Sequence, residues 1–260
     1  MKVALLQLTS GTDPDVNFQT VSDLVHRTEA PFVLTPEMTP FLEKDAGRLR
    51  AGIGPEAAVI APYRDLAQTR GIYLLLGSAA VFRDDGGIAN RSILIGPDGD
   101  VIVRYDKINL FEAALPGGET YRESDSYVAG DQSVTTHIGD FSLGLSICYD
   151  LRFPSLYANY ARTGVAIIAA PSAFTRATGK AHWEILLRAR AIESGAWVLA
   201  PAQGGTHEDG RRTWGRTMAV TPWGEIAAIL DHDQPGILEL VIDRKAVRDA
   251  RARIPAWRQR

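Results

Sequence analysis

Cysteine is nearly absent: Cys148 is the only one in 260 residues. That excludes an intrachain disulfide and a cysteine-based zinc site, and it fits a reducing compartment. An excess of one charge is also lacking. Lys and Arg number 28 against 31 Asp and Glu, for a formal net charge of −3. A near balance gives no electrostatic footprint for nucleic acid or for an anionic membrane surface. No apolar run approaches the length of a membrane span. The opening Met1-Lys2-Val3-Ala4-Leu5-Leu6-Gln7-Leu8 turns polar too soon for a signal peptide. There is no His-x-x-x-His or His-Glu-x-x-His pattern, no Gly-rich phosphate loop, no internal repeat and no low-complexity tract. The expectation is a soluble cytoplasmic protein of one domain, residues 1–260, with no metal or cofactor.

What is present is a 45% hydrophobic fraction, enough for a substantial core, arranged in alternating strand and helix patterns. Val3 to Leu8 reads as a buried strand. Asp13-Pro14 starts a helix with Val16, Val21, Leu24 and Val25 on one stripe. Phe32-Val33-Leu34 is a second strand, stopped by Pro36. Pro55 to Arg70 reads as a helix with Ala58, Ala61, Leu66 and Ala67 inward. Ile72 to Val81 is a strand broken at Gly77-Ser78, and Ser92 to Tyr105 a β-hairpin. From Lys107 to Asp131 little periodicity remains, which suggests a long functional loop. Phe141 to Cys148 reads as the central strand, followed by a helix from Pro154 to Arg162. Val165 to Ala169 is another strand. Thr178 to Ser194 is helical, with Ile185, Leu186, Ala189 and Ile192 apolar. Four further strands and a last helix, Arg244 to Arg253 capped by Asp243, complete an α/β protein with helices outside mixed sheets.

Three strand ends turn polar abruptly, at Glu37, Lys107 and Cys148. In α/β sheets functional groups gather beyond the carboxyl ends of strands. A thiol hydrolase needs a base for the thiol proton and a cation or N–H pair for the tetrahedral oxygen. Glu, Lys and Cys meet those needs together. Each also has a structural reading: a buried free cysteine acting as a small hydrophobe, a loop glutamate and a solvated lysine. A papain-like Cys–His pair is the competing chemistry. Among the five histidines, His182 in Ala181-His182-Trp183-Glu184 is the least ordinary.

Three motifs in one order resemble the nitrilase, or carbon–nitrogen hydrolase, superfamily over nearly the whole chain. They are Leu34-Thr35-Pro36-Glu37, Tyr105-Asp106-Lys107-Ile108-Asn109-Leu110-Phe111 and Cys148-Tyr149-Asp150-Leu151-Arg152-Phe153-Pro154. The run from Ala181 to Glu193, Ala202-Gln203-Gly204-Gly205 and Thr221-Pro222-Trp223-Gly224 are similar to the Nit-type amidase branch. The resemblance implies a four-layer α-β-β-α sandwich, usually dimeric. It implies Glu37 as general base, Cys148 as nucleophile, Lys107 at the oxyanion and the Tyr149 backbone N–H as second oxyanion donor. It also implies a second carboxylate beyond the lysine. Glu123, in a Glu-Ser pair before Ala129-Gly130-Asp131, fits that role best, with Glu112 and Glu119 as competitors. Arg152 matches a position where some relatives bind a substrate carboxylate, and a salt bridge to Asp150 is its structural alternative. Asn109 and the Gly215-Arg216-Thr217 run depart from the family's usual histidine-bearing patterns.

The function implied is hydrolysis of a small carboxylate-bearing amide through a thioester. Deaminated glutathione is the leading substrate and 2-oxoglutaramate, the ω-amidase substrate, the alternative. Nitrile hydrolysis and carbamoyl cleavage rank behind these. From another class, the chain could be a non-catalytic interaction module on a hydrolase scaffold. A homodimer through the helices after Pro154 and Thr178 is expected, with Tyr157 and Tyr160 contributing.

Overall fold

The computed structural model describes residues 1–114, 118 and 120–258. The first part runs β1 (Lys2–Gln7), α1 (Pro14–Val25), β2 (Phe32–Leu34), α2 (Ala46–Gly52), α3 (Glu56–Arg70), β3 (Tyr73–Phe82), β4 (Ile88–Ile95) and β5 (Val101–Asp106). Then come β6 (Glu112–Ala114), β7 (Thr120–Arg122), β8 (Thr135–Ile138), β9 (Phe141–Leu145), α4 (Pro154–Arg162) and β10 (Ile167–Ala169). The remainder is α5 (Arg176–Ser194), β11 (Trp197–Ala200), β12 (Gly204–Thr206), β13 (Arg212–Trp214), β14 (Met218–Val220), β15 (Ile226–Ile229), β16 (Gly236–Val241) and α6 (Arg244–Arg253).

The described residues form two six-stranded sheets, ordered β16-β1-β2-β3-β4-β5 and β15-β14-β11-β10-β9-β8. Each has a parallel centre, β1-β2-β3 in one and β9-β10-β11 in the other, with antiparallel flanks. Alternation along the strands assigns the faces. Val3, Leu5, Leu34 and Leu75 pack in one core with Leu143, Leu145 and Leu199 of the second sheet. Their neighbours Ala4, Leu6, Val33, Leu74 and Leu76 pack against Val21, Leu24, Ile60 and Leu66 of α1 and α3. Strands buried on both faces read as continuous apolar runs, which is why they were legible. Helices α4 and α5 cover the other side of the second sheet through Leu156, Trp183, Leu187 and Ala191. The layers are therefore α-β-β-α.

Several local expectations need correction. Val16 is 61% exposed. Helix α3 buries Ile60 and Tyr63 beside Leu66 and Ala67, and turns Ala58 and Ala61 to solvent, because the larger side chains claim the sheet. In α5 the buried stripe is Trp183, Leu187, Arg190, Ala191 and Ser194, while Ile185 and Ile192 stay 69% and 51% exposed. Arg190 goes inward because its Nε donates to Leu151 O (2.9 Å) and its Nη1 pairs with Glu193 (2.7 Å). Strand β9 is not central: β8, a half-exposed polar edge strand, lies beside it. Tyr157 and Tyr160 point inward and are fully buried, with hydroxyls meeting Ser146 Oγ and Leu145 O, so neither faces a partner subunit. The long segment after Lys107 carries structure of its own, the β6-β7 ribbon and a 3₁₀ turn at Glu123–Asp125.

Candidate active site

Cys148 sits where β9 gives way to a 3₁₀ turn, Cys148–Arg152. Its backbone is left-handed (φ 48°), a conformation that costs energy for a non-glycine residue and persists only when its surroundings enforce it. The enforcement is visible. The Cys148 N–H donates to Pro171 O (2.9 Å), and the fully buried Asp150 carboxylate accepts from Ile147 N (2.9 Å) across the turn. Asp150 also accepts from Tyr105 Oη (2.6 Å) and from Asn109 N and Nδ2 (3.0 and 2.8 Å). Those partners belong to the Tyr105–Phe111 motif, so the two motifs brace one another.

Glu37 follows β2 on a loop that needs a glycine opposite. A Cβ on Gly77 would lie 1.9 Å from Thr35 O and 2.4 Å from Pro36 O. Strand β3 bulges there, between Leu76 and Ala79, and Ser78 takes up the loop: its Oγ accepts from Met38 N (2.9 Å) and its carbonyl from Thr39 N (3.0 Å). From the second sheet's side, Gln203 Nε2 donates to Glu37 O (2.9 Å).

Lys107 leaves β5 with its N–H on Asn90 O (2.9 Å) and its carbonyl on Gly130 N (2.8 Å). Its ammonium donates to Glu37 Oε1 (2.9 Å) and Glu123 Oε2 (2.7 Å). Asn90 Nδ2 joins the same two carboxylates, at 2.9 Å to Glu37 Oε1 and 3.0 Å to Glu123 Oε1. The Ala173 N–H donates to Glu37 Oε2 (2.8 Å). Glu37, Asn90 and Lys107 thus come from the first sheet, and Cys148 and Ala173 from the second.

The electrostatics follow from burial plus pairing. Burial pulls the Lys107 ammonium down, but Glu123 and Glu37 beside it outweigh this and hold it well above its ordinary range. Burial pushes Glu37 up, and Lys107 more than reverses that, leaving the carboxyl below its ordinary value. Burial and the Glu37 charge push the Cys148 thiol well up. The resting arrangement is therefore an ionised Glu37, a charged Lys107 and a protonated thiol lining one cavity.

Glu37, Lys107, Glu123 and Cys148 meet in one place. Glu112 does not join them: it is exposed, and its carboxylate accepts from Ser124 Oγ. Glu119 lies outside the described residues. Tyr149 follows Cys148 in the same turn, its ring edge-on to Phe111 and Phe153. Arg152 does not pair with Asp150, whose oxygens are taken by Tyr105, Asn109 and Ile147. Instead its guanidinium lies over the Tyr149 and Phe174 rings and reaches His182 Nδ1 (3.2 Å). His182 is exposed and meets Arg152, not the thiol, so no Cys–His pair forms. Asn90, Ala173 and Asp150 were missed. Asn90 stands beside Arg91 and Ser92, so its polarity drew no notice, and a backbone N–H such as that of Ala173 leaves no signal at all.

A cavity of ≈ 370 Å³ opens on this cluster, lined by Glu37, Lys107, Glu123 and Cys148 among others. A smaller crevice on the other flank is lined by Cys148, Tyr149, Arg152 and Phe174. Among the described residues no group of three His, Cys, Asp or Glu side chains could hold a metal ion, and no helix is long and apolar enough to cross a membrane.

The chain is 36% identical over 264 residues to the deaminated glutathione amidase of Synechocystis sp. (strain PCC 6803 / GT-S), covering 99% of this chain and 97% of that one. It resembles the crystal structure of Saccharomyces cerevisiae Nit3, a member of branch 10 of the nitrilase superfamily, with a TM-score of 0.89 and 27% identity, covering 100% and 96% of the two chains. It also resembles a glutamate-to-glutamine mutant of the amidase from Nesterenkonia sp. AN1, solved with the result of Michael addition of acrylamide at the active site cysteine (TM-score 0.80, 26% identity, 98% of each chain). The carbon-nitrogen hydrolase family model matches residues 2–252, and with it this chain belongs to the carbon–nitrogen hydrolase family.

Proposed function

We propose that this hydrolase is an amidase that cleaves deaminated glutathione to 2-oxoglutarate and cysteinylglycine through a thioester on Cys148. The observation that carries the reading is the Lys107 ammonium held between the Glu37 and Glu123 carboxylates, with Cys148 lining the same cavity. The substrate comes from the relatives' activity. In the first step Glu37 takes the thiol proton as Sγ attacks the amide carbonyl carbon. The oxygen's developing charge meets Lys107 and the Tyr149 backbone N–H. The C–N bond then breaks and the amine leaves with the proton from Glu37. Water enters, gives a proton to Glu37 and attacks the thioester, and the thiolate leaves with that proton. Glu123 acts through Lys107 and is a positioning residue. Arg152 faces the acyl half. The test is a side-by-side assay of deaminated glutathione and 2-oxoglutaramate for 2-oxoglutarate release. A higher kcat/KM for the former is expected; equal or better use of 2-oxoglutaramate moves the reading to ω-amidase, and turnover of neither refutes it.

The same reading includes a cytoplasmic homodimer. Its support is the exposed apolar outer face of α5, with Ile185 and Ile192, near exposed Trp223 (46%). Light scattering at micromolar concentration tests it, and a monomer there contradicts it.

A further inference from the structure

The ≈ 370 Å³ cavity holds a second group of cations that the reaction does not use. Arg211 and Lys44 line it together with Cys148, and neither lines the Arg152 crevice. Arg211 stands in the turn between β12 and β13. That turn is fixed from several sides. The Arg211 N–H and Nε donate to the two oxygens of Asp209 (2.8 and 2.6 Å), whose side chain is 1% exposed. His207 bridges Ser10 O (2.8 Å) and Thr213 Oγ1 (2.7 Å). Trp214 N–H donates to Phe174 O (3.0 Å), next to Ala173 of the site.

Of the guanidinium itself only Nε meets Asp209. Its neighbour Nη2 is buried with no hydrogen-bond partner among the described residues. A buried donor left unpaired is rare and calls for a specific reason. Arg211 is also close enough to act on the Tyr127 hydroxyl, as Glu123, Glu37 and Lys107 are. The exposed Lys44 reaches over to the turn: its ammonium is 3.7 Å from where a Cβ on Gly210 would sit. A guanidinium with an unpaired Nη2 and an ammonium on the same cavity wall suit a carboxylate.

We propose that Arg211, assisted by Lys44, receives a carboxylate on the amine half of the substrate. This rests on the amidase reading above and sharpens it. The thiol then lies between two cationic poles, with Arg152 on the acyl side and Arg211 on the leaving-group side. The substrate class is an amide whose amine half is a short peptide or amino acid ending in a free carboxylate. An amide that releases ammonia uses only one pole. Binding energy from the remote carboxylate can then speed the chemistry at the carbonyl.

The test compares deaminated glutathione with its C-terminal carboxamide. Wild-type enzyme should prefer the acid by on the order of 10–100-fold in kcat/KM. Removing Arg211 alone leaves Asp209 buried and unpaired, so the informative variant is Asp209→Asn with Arg211→Gln. In it the acid-to-amide preference should collapse to near unity. Lys44→Ala should lower the preference by a smaller factor. Equal wild-type efficiency on the two substrates overturns the proposal, as does a preference that survives in the double variant. A purely structural role for Arg211 would lower both substrates alike and keep the ratio. A binding arm separates this from the amidase reading: Cys148→Ala protein is titrated with cysteinylglycine and with its amide. Tighter binding of the acid, lost with Arg211, supports the assignment even if wild-type enzyme hydrolyses neither amide; equal binding of both refutes it.

Discussion

Lys107 and Glu123 form an ion pair at 2.7 Å, with side chains only 2% and 12% exposed. Glu123 also accepts from the Phe111 N–H (2.6 Å), so one carboxylate orients both the lysine and the backbone that follows it. Glu123→Gln keeps the shape and removes the charge. The expected outcome is a folded protein with kcat lowered by on the order of 10²-fold, comparable to losing an oxyanion donor, because Lys107 is no longer held in place. Glu112→Gln should change little. Steady-state kinetics beside a melting curve decide it, and near wild-type kcat in a folded Glu123→Gln protein defeats the assignment.

Cys148→Ala and Lys107→Met should both abolish turnover, and they should differ in stability. Cys148→Ala removes a small neutral group. Lys107→Met leaves Glu37 and Glu123 facing each other without a cation in a buried site. Breaking a buried pair this way costs about 3–5 kcal/mol. Urea denaturation should show the Lys107 variant clearly less stable than the Cys148 variant; equal midpoints would contradict the buried network.

The pH profile has a definite direction. Glu37 is held below its ordinary 4.5 by Lys107, so the base stays ionised as pH falls past that value. Activity should hold through neutral pH and decline only below 4.5. On the alkaline side the thiol stays protonated above its ordinary 9.0 and Lys107 charged above its ordinary 10.5. For stability, the Glu37 contribution is complete above 4.5 and is lost as pH falls through its folded value. The Lys107 contribution is complete below 10.5 and is lost as pH rises through its folded value. An acid limb above 4.5, in protein still folded, contradicts an ionised base.

Gly77→Ala tests the loop that carries Glu37. Its methyl would meet Thr35 O and Pro36 O, both backbone atoms that cannot swing aside. Overpacking of this kind costs about 1–3 kcal/mol or more, and here it displaces the base. Lower stability together with lower kcat is expected. Lower stability with unchanged kcat would mean that the loop tolerates the shift.

Much of this was legible because the chemistry sits at strand ends. Leu34, Asp106 and Leu145 end β2, β5 and β9, and Glu37, Lys107 and Cys148 follow them by three, one and three residues. The helix from Pro154 to Arg162 and the capped helix at Asp243 were readable from single local signals, an N1 proline and an N-cap acid. The β6-β7 ribbon was not, because its short strands are mostly exposed and carry no alternation. The stripe on α5 misled for the opposite reason. Its inward face includes a paired arginine and small residues, while isoleucines face out, so hydrophobicity alone chose the wrong side. Proximity of Glu37, Lys107 and Cys148 needed the fold, since they lie on different strands. The Ala202-Gln203 pair stood out in the sequence, but its role in gripping the Glu37 backbone appears only in three dimensions.

Because Glu37 and Cys148 are carried by different sheets, turnover through the proposed mechanism reports on docking as well as on chemistry. Neither sheet holds a working half. A molecule with both sheets formed but slipped against each other would keep its far-UV signature and have no Glu37 within reach of Cys148. In a denaturant titration, activity and near-UV signal should therefore decline together, at or before the loss of helix and strand, and any gap between the transitions would measure how much the interface between the sheets loosens before the sheets themselves melt.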